Sequence, residues 1–166
     1  MSTYENRGFF YFTSNPLHGR WFDLDPDTTE EVIRAALAKE LNNGQEIDEL
    51  FIADSEGFAT YFCSRECFDF AEWEDFLEGL ESTHLDHEVI MAYLENCGSA
   101  SISDIEDSYL GEWDSDEAFA EDLMEQTGDL DKLPDNLRYY FDYEKYARDL
   151  MINDFFESNG HYFRNC

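Results

Sequence analysis

The stretch Phe70–Leu80, FAEWEDFLEGL, decides how the chain is read. Its apolar residues Phe70, Trp73, Phe76, Leu77 and Leu80 follow one another at intervals of 3, 3, 1 and 3, the pattern of a single helix face. Asp69, Glu72, Asp75, Glu78 and Glu81 fall on the other faces, so the helix buries an aromatic stripe and turns carboxylates to water. A second helix follows, with Val89, Ile90, Tyr93 and Leu94 inward, Asp86, Glu88 and Glu95 outward, and Cys97-Gly98 as its stop. Ser101 with Asp104 starts a third, short one through Ile105 and Tyr109. Upstream the period changes. Gly8–Phe12 (GFFYF), Gly19–Leu24 (GRWFDL) and Glu49–Asp54 (ELFIAD) read as strands, with Asn15-Pro16 and Ser55-Glu56-Gly57 as turns. Between them, Thr28 and Glu31 form a capping-box start for a helix with the stripe Ile33, Ala36, Leu37 and Leu41, stopping near Asn43-Gly44.

Downstream, Gly111–Trp113 reads as a strand, and Ser115 caps a helix that uses Phe119 and Leu123 and stops at Thr127-Gly128. Pro134 suits a first helical turn, and Asp142 caps a helix with the stripe Tyr143, Tyr146, Ala147 and Leu150. The terminal FFESNGHYFR places two aromatic runs around Asn159-Gly160, the dipeptide favoured in type I′ hairpins. The expected class is α+β in three small modules: an N-terminal α/β sheet unit over 1–62, an acidic helical middle over 63–102, and a C-terminal mixed unit over 103–166 with a terminal β-hairpin.

Charge narrows the function. The 166 residues carry 40 Asp and Glu against 10 Lys and Arg, a formal charge of −30. Such a surface repels a phosphate backbone, which excludes direct nucleic-acid binding, and it disfavours anionic membranes. A hydrophobic fraction of 43% with 17% aromatics separates the chain from disordered acidic tails. The acid is also concentrated. Between Arg65 and Lys132 there is no Lys or Arg, while Glu66 to Asp131 holds 22 acidic residues in 66 positions. Adaptation to high salt would spread acid over the whole surface. Ionised carboxylates without cations cannot be buried cheaply, so nearly all 22 must face water. Acids at i, i+3 and i+4 of a helix stand about 5–6 Å apart on a rigid rod. Since duplex DNA shows one negative charge per roughly 1.7 Å, 22 charges match roughly 37 Å of duplex. Crowded like charge destabilises a fold, and that cost points to a basic partner of the DNA-binding class.

The catalytic inventory is thin. There is no GxSxG, P-loop or Rossmann fingerprint, and with 40 acids a carboxylate pair has no specificity. Asp23-x-Asp25-x-Asp27 begins like a calcium loop, but Thr28 occupies the glycine position and Arg34 the bidentate Glu position. Cys63-x3-Cys67 and His84-x2-His87 offer zinc-type ligands at spacings unlike a finger, so no metal or other cofactor is expected. MSTYENRGFFYF lacks a basic region followed by an apolar core, no window is apolar enough to span a membrane, and Cys63, Cys67, Cys97 and Cys166 are expected as free thiols in a cytoplasm.

The run Asp129–Asp149, DLDKLPDNLRYYFDYEKYARD, resembles the ArdA antirestriction proteins of mobile genetic elements. Leu133, Pro134 and Asp135 leading to Tyr140, Phe141 and Asp142 look like that family's antirestriction motif, followed by Tyr143, Glu144, Tyr146, Ala147, Arg148 and Asp149. Gly19–Leu24 resembles its early GRW strand and Asp54–Gly57 a later turn. The resemblance implies a non-enzymatic DNA mimic, elongated, modular and homodimeric, that occupies the DNA groove of type I restriction–modification enzymes around their methyltransferase core. It also implies dimerisation through the C-terminal module, with Phe119, Tyr139 or the terminal hairpin as contacts. The expected phosphate mimics are Asp69, Glu72, Asp75, Glu78, Glu81, Glu88, Asp104, Glu106, Asp107, Asp114, Asp116, Glu117, Glu121, Asp122 and Glu125. A mimic or chaperone aimed at another basic DNA-binding or defence protein would share every feature read from composition.

Overall fold

Period-two alternation sets the N-terminal sheet. In the computed structural model, which describes residues 5–166, strand β1 (Arg7–Phe12) buries Gly8, Phe10 and Phe12 in turn. It is the central strand, antiparallel to β2 (Arg20–Asp23) on one side and to β3 (Leu50–Glu56) on the other, with a bulge between Phe9 and Phe10. Helix α1 (Glu30–Leu41) buries Ile33 and Leu37, two of the four residues in its predicted stripe. Its cap is Thr29, whose hydroxyl accepts from Val32 N–H, while the hydroxyl of the predicted cap, Thr28, donates to Asp25 at 2.8 Å. Strand β3 runs through Ser55 and Glu56, which were expected as a turn. The reversal begins at Gly57, whose φ of +72° opens a 3-10 segment, Gly57–Phe62.

A two-residue hairpin, β4 (Cys63–Ser64) with β5 (Cys67–Phe68), stands where helix was anticipated, turning at Arg65 with φ +59°. Helix α2 (Phe70–Ser82) then buries Trp73, Phe76 and Leu77, and α3 (His87–Cys97) buries Val89, Ile90, Ala92, Tyr93 and Leu94. Ring packing ties α2 to the sheet. Phe10 stacks on Phe70 at 5.8 Å, Phe68 meets Phe70 at 4.9 Å and Trp73 at 5.9 Å, and Phe62 meets Phe76 at 4.9 Å. Aromatic pairs of this geometry add about 0.5–1.5 kcal/mol each beyond area burial. The segments 1–62 and 63–102 therefore share ring contacts within one unit, Met1–Asp104.

Ile105–Cys166 forms the other unit, helix α4 (Ile102–Ser108) running across the boundary. Its sheet has the order β6 (Tyr109–Glu112), β8 (His161–Arg164), β7 (Phe155–Ser158), all antiparallel. Asn159 and Gly160, at φ +55° and +85°, make the predicted primed turn. Helix α5 (Asp116–Thr127) is capped by Ser115 and closed by Gly128 in the left-handed region. A short α6 (Asp135–Arg138) follows Pro134, and α7 (Tyr143–Asn153) is capped by Asp142. Phe119, 2% exposed, packs on Tyr162 at 4.8 Å, Trp113 at 5.0 Å and Phe155 at 5.1 Å. This corrects its expected place in a dimer contact, because its ring is enclosed within its own unit.

Helices α2, α3 and α5 each carry acid in the first turn and no base in the last. Cys63 and Cys67 are free thiols, whereas Cys97 and Cys166 are disulfide-bonded, so the all-thiol expectation is corrected at those two. Among the described residues no helix is long and apolar enough to cross a membrane. The first four residues of the N-terminal reading lie outside the described range.

Candidate functional site

Of the 22 acids between Glu66 and Asp131, 20 are exposed, and only Asp122 and Asp129 are half-buried. Fourteen of the fifteen expected phosphate mimics are thus at the surface, with Asp122 the partial exception, its carboxylate accepting from Gln126 at 2.8 Å. On α2, Glu72, Asp75, Glu78 and Glu81 recur every three residues. On α5, Glu117, Glu121 and Glu125 recur every four beside Asp116 and Asp122. Asp104, Glu106 and Asp107 ride on α4, Glu88 on the first turn of α3, and Asp114 on the loop before α5. Glu74 is exposed too and stands one turn before Glu78, a spacing from which the sequence could have placed it. Glu66, Asp86, Glu95 and Glu112 are further exposed carboxylates outside the expected set.

Ion pairs gather outside this stretch or at its end. Arg7 meets Asp23 at 3.2 Å and Glu56 at 3.8 Å, Arg20 pairs with Glu40, and Arg34 meets Glu30 at 2.7 Å. Lys132 pairs with Asp129, Arg138 reaches Asp131 at 3.1 Å, and Lys145 reaches Asp142 at 3.1 Å. The cations of the motif region are therefore already engaged by neighbouring carboxylates. Exposed pairs of this kind contribute at most about 1 kcal/mol each.

Some of these carboxylates also have local duties. Asp69 caps α2, its carboxylate accepting from Glu72 N–H at 3.0 Å. Asp69→Ala is expected to lower stability by about 1 kcal/mol in urea denaturation, while Asp69→Asn, which caps equally well, leaves it within a few tenths. Asp116 accepts from the buried Tyr162 hydroxyl at 2.8 Å, and burial followed by that bond pushes the phenol's pKa up.

The predicted motif runs from Leu133 through the short α6 and the Asp142 cap into the first two turns of α7. Tyr139 and Tyr140 are 91% and 82% exposed, Pro134 and Asp135 are exposed, and Leu133 is half-buried. Phe141 is half-buried against Tyr143 at 4.9 Å and Tyr146 at 5.5 Å, while Arg148 and Asp149 face water. Asp142 accepts from Lys145 N–H at 3.1 Å; that bond and then the Lys145 ammonium hold its carboxyl below the usual range. Its contribution to stability is present above the ordinary carboxylate range and is lost as pH falls through the lowered value. Titration of Asp142 followed by NMR is expected to have a midpoint below that of an unfolded-chain Asp, moving only part of the way back in Lys145→Met.

Cys63, Cys67, His84 and His87 are not brought together as a group: among the described residues no three His, Cys, Asp or Glu converge at metal-holding distance. The model of one family, described as antirestriction protein (ArdA), matches residues 11–164, nearly the whole chain. The chain belongs to the ArdA antirestriction family. No curated protein matches the sequence. The match takes in the strands around Gly19–Leu24, the acidic helices and the Leu133–Asp149 segment alike. In this ArdA chain, then, a helix face rich in solvated carboxylate and an exposed aromatic motif sit on two separately packed cores.

Proposed function

We propose that the chain is a non-enzymatic DNA mimic that fills the DNA groove of a type I restriction–modification enzyme, at its methyltransferase core, and so spares incoming mobile DNA in the cytoplasm of a bacterial host. The observation that carries this is the exposure of 20 of 22 carboxylates along a stretch without Lys or Arg. Lysines and arginines that normally grip phosphates would pair with these groups instead, releasing counterions from both partners. No cofactor enters the mechanism. Dimerisation through the second unit completes the reading, supported by the exposed Leu137, Tyr139, Tyr140 and Ile152 on it.

The test is displacement of a labelled duplex from purified type I enzyme, paired with plating of unmodified phage on a host carrying that system. Displacement with phage rescue is the expected result. It should weaken steeply with added salt, while the free protein gains stability as its self-repulsion is screened. A salt-insensitive complex would mean an apolar interface and would overturn the mimic. Displacement from an unrelated basic DNA-binding protein alone would redirect the reading to another partner.

A further inference from the structure

A groove of about 410 Å³ lies between the loop Asp25–Thr29 and one face of α2. Phe70, Trp73 and Leu77 contribute its apolar side, and Asp25, Glu74, Glu78 and Glu81 its carboxylates, with no Lys or Arg among its lining. It adjoins a second recess through Asp25, Pro26 and Leu77. The rim is fixed at Asp25, which accepts from Asp27 N–H at 3.1 Å and from the Thr28 hydroxyl. Duplex DNA has no counterpart to an aromatic recess edged with anions.

We infer that this groove is a docking site for an arginine-bearing basic segment of a partner protein. The inference rests on the proposal that the anionic surface meets a basic protein, and it adds an anchor to what would otherwise be diffuse attraction. A guanidinium has weakly hydrated faces that lie on aromatic rings and a planar fork of donors for carboxylates. The same unit uses that combination twice within itself. The Arg7 guanidinium sits 5.3 Å from the Trp21 ring centre and 3.2 Å from Asp23, and that of Arg20 sits 5.0 Å from Phe22 while pairing with Glu40. The groove presents aromatic and carboxylate together with no internal cation to occupy them.

Two observations favour a peptide over a simple cation. The carboxylates do not converge as a metal site among the described residues. Trp73, 1% exposed, keeps its indole Nε1–H buried with no acceptor among the described residues. A buried donor without a partner costs about 1–3 kcal/mol, and a small repacking of the groove wall that brought a peptide carbonyl to it would recover that cost, which a polyamine or metal ion could not do.

The experiment titrates the full-length protein with the blocked peptide acetyl-Leu-Arg-Leu-Arg-amide, following the Trp73 indole resonance by NMR, assigned with Trp73→Phe. The citrulline-substituted peptide and spermine are run in parallel. The arginine peptide is expected to shift that resonance saturably, and the neutral citrulline peptide to bind about tenfold more weakly. Glu74→Gln with Glu78→Gln should weaken the arginine peptide about tenfold, against less than about twofold for Glu121→Gln with Glu125→Gln, an equal charge change on α5. An unmoved resonance, equal weakening by both double variants, or spermine acting as strongly as the peptide would each overturn the groove. None of these outcomes requires the restriction enzyme. Failure of duplex displacement with a positive peptide titration would sink the proposed function and leave the groove standing; the reverse pattern would do the opposite.

Discussion

Changing Asp75, Asp114, Glu78, Glu81, Glu121 and Glu125 together to their amides is expected to weaken restriction inhibition roughly a hundredfold, while each single change weakens it only about twofold. These six are exposed and accept no side-chain hydrogen bond or ion pair within the described residues. They also lie outside the capping positions and first turns. Their loss therefore removes charge without removing local structure. At about 0.5 kcal/mol per exposed pair, six sum to about 3 kcal/mol, which is the hundredfold. Relief of like-charge repulsion should leave the urea midpoint unchanged or raise it. Inhibition is read as the protein concentration that halves cleavage of unmodified DNA. A single amide that abolished inhibition would replace distributed mimicry with a conventional hot spot.

Phe119→Ala is expected to destabilise the second unit by about 4 kcal/mol, the cost of deleting a large buried ring and leaving the cavity. Its ring is 2% exposed and touches Trp113, Phe155 and Tyr162, so one truncation loosens α5, the β6–α5 loop and both strands of the hairpin at once. Loss of the near-UV aromatic signal at lower urea is the measurement. Tyr139→Ala, at 91% exposure, is the control, expected to stay within about 0.5 kcal/mol. Inhibition should fall in Phe119→Ala although every carboxylate remains, because the proposed mimicry needs charge on a rigid support. Full inhibition by the destabilised protein would mean that charge alone suffices.

Where a local rule had one strong claimant, sequence and structure agree. Ser115 and Gly128 bound α5, Asn159-Gly160 turns the last hairpin, and the stripe of α2 is buried at Trp73, Phe76 and Leu77. Where two claimants competed, the sequence misleads by a residue or two. Thr28 and Thr29 both suit a cap, and Asp25 takes the first, leaving the second for the helix. Ser55 and Glu56 look like turn residues but pair with Gly8 and Arg7 across the sheet. The two-residue strands of the Cys63–Phe68 hairpin are too short for any period to register. Exposure of the acids followed from charge arithmetic, since no cation lay near enough in sequence to justify burial. The groove beside α2 did not, because Asp25 and Glu74 come together only when the chain folds.

Acid at the start of α2, α3 and α5, with no base at their ends, has an effect that counting side chains misses. Aligned peptide units leave about half a positive charge at the head of each helix and half a negative charge at its tail. The leading carboxylates cancel the heads, and no Lys or Arg stands in the last turn of α2 or α3 to cancel their tails, while Lys132 on Asp129 lies just beyond that of α5. The backbone itself becomes a source of negative potential, so an approaching basic protein should be drawn toward Ser82 and Cys97, where the main chain supplies the pull.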